Sequence, residues 1–234
     1  QNIGGLIDTI MSLSINPTVV VIDDNSEDGT QQEVQERIKK FGIEKVKLLT
    51  RTKKDGRGGA VWYGFNKMLA LNFDIFVEMD ADFSHDPHEL IDGIKMIDRT
   101  SSLIIGARYP NGKILGWPVK RRVLSRLANI LARILISNSI FDFTNGYRLY
   151  TAETVKIIEA VGLRNKGFIC LSESIAICIV NNCNIQSFPI TFRDRSKGNT
   201  SATFSEVMRS LVAIFDIAIG LRNGRYIFHK RYDR

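Results

Sequence analysis

Short apolar runs alternate with amphipathic segments along this chain, and this alternation constrains its fold most. The runs at residues 18–22, 45–49, 75–79 and 103–107 are rich in β-branched residues, as strands covered on both faces are. Apolar periodicity predicts helices at 59–71, 87–98, 119–137, 152–161, 170–181 and 204–221, and a further strand near 185–192. This order predicts an α/β fold with a mostly parallel central sheet flanked by helices.

The helix between the first two runs has candidate capping residues at both ends. Thr30 and Glu33 predict a capping box at its start, and Gly42 predicts a left-handed cap at its end. Another helical pattern begins at Ile3, so we expect the chain to start inside or just before an amphipathic helix.

Composition sets broad limits on the class of protein. The chain has 234 residues, 44% of them hydrophobic and 24% charged, which excludes disordered and collagen-like classes and favours one domain. Three cysteines without C-x-x-C spacing predict a reducing compartment rather than a disulfide framework or zinc knuckle. No apolar run reaches the roughly 18–20 residues of a membrane span. The net charge of +7 favours an anionic partner: nucleic acid, a phosphorylated substrate or an acidic lipid surface.

Carboxylates follow two of the apolar runs, where ligands bind in open α/β sheets. Asp23 and Asp24 end the first run, and Asp80 and Asp82 end the third. If the chain is extended there, Asp80 and Asp82 point to one side and suit Mg²⁺ or Mn²⁺, with Ser84 as a further oxygen donor. The alternative is a solvated turn with a helix cap. Four neighbouring carboxylates repel one another unless a cation compensates them, which favours the metal site.

Two histidines and a basic loop lie near these carboxylates. We interpret His85 and His88 as partly solvated polar residues rather than as a metal pair. The glycine-rich loop 51–59, which contains Arg57, precedes a helix whose free backbone amides attract phosphate. A flexible basic loop without a ligand is an equally good interpretation.

Two later helices carry basic residues beside apolar stripes. In the helix at 119–137, Arg121, Ser125 and three further arginines share one face, and with Arg108 they could hold an anionic acceptor. A solvated helix face is the alternative. The last helix and its basic tail either cap the core or lie on an anionic membrane surface.

Seven segments together resemble the dolichol-phosphate mannose synthase family. Members of that family are family 2 glycosyltransferases with the Rossmann-like GT-A fold. In chain order they are VVVIDDNSEDGT, RTKKDGRGGAVWYGF, VEMDADFSHDP, GARYPNG, GWPVKRRVLSR, DFTNGYRLY and FPITFRDRSKGNTS. The resemblance covers nearly the whole chain. It implies that the family's first strand precedes residue 1, so that this chain is truncated at its N-terminus. It also implies a nucleotide-sugar half at 1–107, an acceptor half at 108–203 and a C-terminal amphipathic helix with a basic tail at 204–234.

The resemblance also implies roles for individual residues. Asp23 and Asp24 lie beside the nucleotide base and ribose, and further contacts to the nucleotide sugar come from Arg57, Asp80, Arg193 and Arg195. The metal ligands are Asp80, Asp82 and Ser84, and the acceptor phosphate is bound by Arg108, Arg121 and Ser125. Asp80, Asp82 and Arg121 are the expected catalytic residues, and Asp142 is expected to orient arginine side chains.

The implied reaction is an inverting displacement. A polyprenyl or dolichyl phosphate oxygen attacks the anomeric carbon of a nucleotide sugar, with GDP-mannose as the first expectation and a UDP-sugar as the alternative. No strong base is required, because a phosphate monoester with a second pKa near 6 is already ionised at neutral pH. We expect a peripheral protein at the cytoplasmic face of a membrane. A nucleotidyltransferase and a basic nucleic-acid-binding domain are remoter alternatives, and four strand-end carboxylates would oppose nucleic acid.

Overall fold

The computed structural model describes residues 2–52, 54–194 and 204–229, and the side chains of residues 204–211 are outside that description. Helices and strands alternate through most of this part of the chain. The elements are α1 (Ile3–Met11), β1 (Val19–Asp23), α2 (Thr30–Phe41), β2 (Val46–Thr50), α3 (Arg57–Met68), β3 (Ile75–Glu78), α4 (Leu90–Lys95), β4 (Leu103–Ala107), β5 (Lys113–Leu115), α5 (Val119–Leu135), β6 (Arg148–Thr151), α6 (Ala152–Val161), α7 (Cys170–Val180), β7 (Ile185–Pro189), β8 (Thr191–Arg193) and α8 (Phe204–Arg222).

In the described residues the strands form three sheets, in which three of the five strand pairings are parallel. β1 and β2 are parallel, and a four-stranded sheet has the order β3-β6-β4-β7. In that sheet β6 runs antiparallel to β3 and β4, while β4 and β7 are parallel. β5 pairs in parallel with β8. The sequence analysis missed β5 and β6, because each has only three or four residues and too little alternation to be recognised.

Helices cover both faces of the four-stranded sheet. On one face Phe65 of α3 and Ile175 of α7 pack with Phe76 and Tyr150 of the sheet. On the other face, Leu90 of α4 packs with neighbouring core residues Leu13, Ile104, Leu149 and Phe188. A separate cluster joins α1 and α2 to β1 and β2. Burial on both faces explains why β4 is apolar at every position.

Of the two predicted ends of α2, the start is wrong and the end is confirmed. The capping box is wrong: Gly29, with φ of +85°, precedes the helix, and Asp28 accepts hydrogen bonds from the Thr30 amide and hydroxyl. Glu33 instead pairs with Arg37 at 2.6 Å. Gly42 does end the helix, with φ of +90° and its amide bound to the Ile38 carbonyl.

The apolar side of α5 is exposed to solvent, which the amphipathic pattern alone did not predict. The exposed fractions are 48% for Val123, 54% for Leu127, 49% for Ile130 and 75% for Ile134. The buried positions of α5 are instead Asn129 and Ala132.

Helix α8, which packs on α5 and α7, is also apolar on two sides. It buries Ile214, Ile217 and Ala218, while Val212, Phe215 and Ile219 of the predicted stripe are exposed. The stripe residues Phe204, Val207, Met208 and Leu211 and the tail residues Lys230, Arg231 and Arg234 lie outside the described side chains. Among the described helices, none combines the length and apolar character needed to cross a membrane.

Candidate active site

The carboxylates after β1 are held by neighbouring protein groups. Asp24 accepts two hydrogen bonds from Arg51, at 2.6 and 2.8 Å. Asp23 is buried and accepts from the Ser26 amide at 3.0 Å and the Gln31 side chain at 2.7 Å. Burial alone would raise the pKa of Asp23, but these hydrogen bonds lower it, so the group is a carboxylate at neutral pH.

Arg57, at the start of α3, reaches the end of β3. Its guanidinium donates to Glu78 at 2.8 Å, to Asp80 at 3.0 Å and to the Gly146 carbonyl at 3.0 Å. Burial would lower the pKa of Arg57, but the two carboxylates raise it. The strand-end carboxylates were expected to repel one another. Arg51, which binds Asp24, and Arg57, which binds Asp80, offset part of that repulsion without a metal ion.

The chain turns between Asp80 and Asp82, so the condition of an extended chain, under which both carboxylates would point to one side, is not met. β3 ends at Glu78, residues 81–82 form a turn, and Phe83 has φ of +61°. Asp82 accepts a hydrogen bond from the amide of Ser84 at 3.0 Å. Within the described residues, no cluster of three or more His, Cys, Asp or Glu side chains is placed to hold a metal ion.

His85 is a site residue that the sequence analysis placed wrongly. It is fully buried, not partly solvated, and its ring stacks on Tyr147 with centroids 4.9 Å apart. Burial lowers the pKa of His85, so the ring is neutral. Its Nδ1 accepts a hydrogen bond from the Asp80 amide at 3.1 Å, and its Nε2 donates one to the Asn145 side chain at 3.0 Å. His88, by contrast, is exposed as expected. The sequence offered no signal for His85, because Asn145 and Tyr147 lie about sixty residues further on.

Arg108 and Asp142 form a buried ion pair at the carboxyl end of β4. Asp142 accepts from Arg108 Nε and Nη2, both at 2.9 Å, and from its backbone amide at 2.8 Å. Burial would raise the pKa of Asp142, but the Arg108 charge lowers it. Arg108 also donates to Thr144 at 2.6 Å. The expected role of Asp142 in orienting an arginine is confirmed for Arg108.

Arg121 lies over the Trp117 ring and is paired with Asp194. Its guanidinium is 4.0 Å from the indole centroid and donates to the Asp194 carboxylate at 2.8 Å. Arg108 lies over the same indole at 5.3 Å, and both Arg108 and Arg126 lie 5.8 Å from the Tyr109 ring.

Three buried polar atoms in this region lack a hydrogen-bond partner among the described residues. They are the Tyr109 hydroxyl, the Trp117 indole N–H and the Ser125 hydroxyl. Each can donate a hydrogen bond, and Arg108 lies near both the Tyr109 and the Trp117 rings. We call Arg108, Tyr109, Trp117, Arg121 and Ser125 the acceptor cluster. The sequence analysis missed Tyr109 and Trp117, although each stands next to a basic segment.

The acceptor cluster adjoins the loop that carries Asp80 and Asp82. Burial would lower the pKa of Arg108, but the Asp142 carboxylate and, more weakly, the Asp80 carboxylate raise it. The Ser84 carbonyl accepts from the Arg193 amide at 3.0 Å, and the next residue, Asp194, binds Arg121. Arg193 itself is exposed, and Arg195 lies outside the described residues. The fold thus places the loop of Asp80 and Asp82 beside the segment that carries Asp194 and its partner Arg121.

A Rossmann-like α/β fold with carboxylates at its strand ends is typical of enzymes that bind nucleotides. Residues 1–157 match the model of Glycosyl transferase family 2, and the chain belongs to that family; it is a glycosyltransferase. It is 34% identical over 203 residues to the polyprenol monophosphomannose synthase of Mycolicibacterium smegmatis, covering 86% of this chain and 76% of the relative. It is also 34% identical over 197 residues to the undecaprenyl-phosphate mannosyltransferase of Micrococcus luteus, covering 84% and 80%.

Solved structures show the same fold at lower identity. The glucosyl-3-phosphoglycerate synthase of Mycobacterium tuberculosis, in complex with Mn²⁺, UDP and glucosyl-3-phosphoglycerate, superposes with a TM-score of 0.59. The match covers 98% of this chain and 77% of that one at 16% identity. This likeness confirms the GT-A-like fold.

Proposed function

We propose that this glycosyltransferase moves mannose from GDP-mannose to a polyprenyl or dolichyl phosphate, with a UDP-sugar as the alternative donor. The acceptor cluster carries the proposal, because it combines two arginines with three buried donors that have no partner among the described residues. Guanidinium groups and N–H or O–H donors are the groups that bind phosphate. The names of the two relatives support a mannosyl transfer to a lipid phosphate.

Asp80 and Asp82 are the residues we propose to hold Mg²⁺ or Mn²⁺. Two carboxylates fit such an ion, because Mg²⁺ is bound in proteins through one or two carboxylates together with substrate phosphates. Ser84 remains a proposed third ligand. When bound, the ion neutralises the charge that develops on the departing diphosphate. The Mn²⁺ in the related solved structure supports this assignment.

The chain's own residues then act mainly by positioning. Arg108, fixed by Asp142, and Arg121, which lies over the Trp117 ring, hold the lipid phosphate so that one oxygen faces the anomeric carbon. Asp23, Asp24, Arg193 and Arg195 are proposed contacts to the nucleotide sugar. Arg57 contributes to the nucleotide-sugar site through its ion pair with Asp80. In this assignment, residues 1–107 bind the donor and residues 108–203 bind the acceptor.

The acceptor is a membrane lipid, and the exposed apolar sides of α5 and α8 support peripheral binding to the cytoplasmic face of a membrane. Leu127 and Ile130 of α5 and Phe215 and Ile219 of α8 are exposed to solvent, and the two helices are in contact. Basic residues such as Arg126 on α5 favour an anionic surface. The acceptor cluster includes residues of α5, so the lipid phosphate would lie close to the bilayer.

Replacing Leu127 and Ile130 with glutamate should weaken binding to vesicles of anionic phospholipid about tenfold or more, because each buried aliphatic side chain contributes about 1.5–3 kcal/mol. Vesicle flotation measures the effect. Ile43→Glu is the matched control, since Ile43 is 56% exposed in the turn between α2 and β2. Equal binding by both variants would contradict a membrane role for α5.

Arg121→Ala should raise the KM for polyprenyl phosphate about thirtyfold, because a hydrogen bond to a charged group contributes about 1.5–3 kcal/mol. The Kd for the nucleotide should stay unchanged. Arg122→Ala is the control, because Arg122 is exposed and donates only to the Ile114 carbonyl at 3.1 Å among the described contacts. Equal losses of donor and acceptor binding would refute the assignment.

One assay tests the function directly. The protein is incubated with GDP-mannose, UDP-glucose and other nucleotide sugars together with a polyprenyl phosphate, with and without Mn²⁺, and lipid products are identified by mass. A mannosyl-phosphate lipid that forms only with the metal is the expected product. Release of pyrophosphate from a nucleoside triphosphate and a sugar phosphate would instead indicate a nucleotidyltransferase.

A further inference from the structure

The turn that ends α7 brings two cysteines together. The Cys183 amide donates to the Cys178 carbonyl at 2.9 Å, and the Asn182 amide donates to Ile179 at 3.2 Å. Asn182 has φ of +55°. These are the two bonds and the left-handed residue of a Schellman motif, in which the first and last residues bring their side chains into contact. Here those residues are the two cysteines, and Cys183 packs against the core cluster that contains Cys178. Their interaction raises the pKa of the Cys178 thiol and lowers that of the Cys183 thiol.

The two thiols lie in different surroundings. Cys178 is fully buried, whereas Cys183 is partly exposed. Hydrogen bonds from Cys178 and from the Thr154 and Ser102 hydroxyls lower the pKa of Cys183, despite burial and the nearby Glu153 carboxylate. A partly exposed thiol with a stabilised thiolate beside a second thiol is the arrangement of an oxidisable cysteine pair.

We propose that Cys178 and Cys183 form a peroxide-sensitive site that oxidises to an intrachain disulfide. The Cys183 thiolate attacks one peroxide oxygen, the O–O bond breaks, and the other oxygen leaves as water after taking a proton. The Cys178 sulfur then attacks the resulting sulfenic acid, the S–O bond breaks, and a second water leaves with the Cys178 proton. Two electrons pass from the thiols to hydrogen peroxide.

This site is separate from the proposed transfer chemistry. Cys183 lies just before β7, at the amino ends of β4 and β7, whereas Arg108 follows the carboxyl end of β4. Oxidation should therefore leave sugar transfer intact, and the two proposals can fail independently.

The third cysteine provides an internal control. Burial, with the Glu78 charge, raises the pKa of Cys170 to about 12. In the folded wild-type protein, iodoacetamide should therefore alkylate Cys183 on the order of a hundredfold faster than Cys170. Equal rates would overturn the proposal, and this measurement needs no variant.

Hydrogen peroxide followed by peptide mass analysis tests the product. The wild-type protein and Cys170→Ser should each lose two hydrogen atoms through a bond between Cys178 and Cys183. Cys178→Ser should stop at a sulfenic acid on Cys183 that dimedone captures. Phenylarsine oxide, which bridges two adjacent thiols, should bind the folded wild type and Cys170→Ser but not Cys178→Ser. A disulfide that requires Cys170, or no arsenical binding by the wild type, would refute the pairing.

Discussion

Asp82→Ala should lower metal-dependent sugar transfer about a thousandfold or more, because the variant removes one of two carboxylates that we propose to hold the ion at the departing diphosphate. Mn²⁺ binding in the presence of a nucleoside diphosphate, followed by electron paramagnetic resonance, should weaken in parallel. Sugar transfer by Asp82→Ala at the wild-type rate would show that Asp82 does not hold the ion.

Two further variants separate the charge of Asp82 from its structural role. Asp82 also accepts the Ser84 amide, so alanine could disturb the turn as well as the metal. Asp82→Asn keeps an oxygen for that hydrogen bond but loses the charge, and we expect nearly the same loss of transfer. Asp92→Ala, which removes an exposed carboxylate of α4, should leave the rate unchanged.

Asp142→Ala should lower the free energy of unfolding by about 3–5 kcal/mol, because it leaves the buried Arg108 guanidinium without its counter-ion. Urea unfolding followed by circular dichroism measures the loss. Asp92→Ala again serves as the control: it breaks an exposed pair with Lys95 and should cost less than about 1 kcal/mol. Similar values for the two variants would contradict the importance of the buried pair.

The pH dependence of unfolding gives a second test of the same pair. The pKa of Asp142 is lower in the folded protein than in the unfolded chain, since Arg108 stabilises the carboxylate. Its contribution to stability is therefore complete above about pH 4, the pKa of an unfolded aspartate, and is lost as the pH falls through the folded pKa. Asp142→Ala should lack this component of acid destabilisation.

The motifs identified residues that the fold brings near one another, but they did not reveal the surroundings of those residues. Asp80, Arg108 and Arg121 were identified from their segments, and the fold places them in one region. The sequence analysis could not anticipate that Arg57 pairs with Glu78, because this contact joins α3 to the end of β3. Tyr109 and Trp117 were missed for the same reason, since only packing shows that their polar atoms lack partners among the described residues.

The sequence by itself determined the alternation of strands and helices, the carboxylates at the strand ends and the family, because periodicity and short motifs are local properties. Only the tertiary structure decided that β6 runs antiparallel, that His85 is buried, and that the apolar side of α5 faces outward. An amphipathic pattern shows that a helix has an apolar side. Which side packs on the protein depends on the elements that reach it from distant parts of the chain.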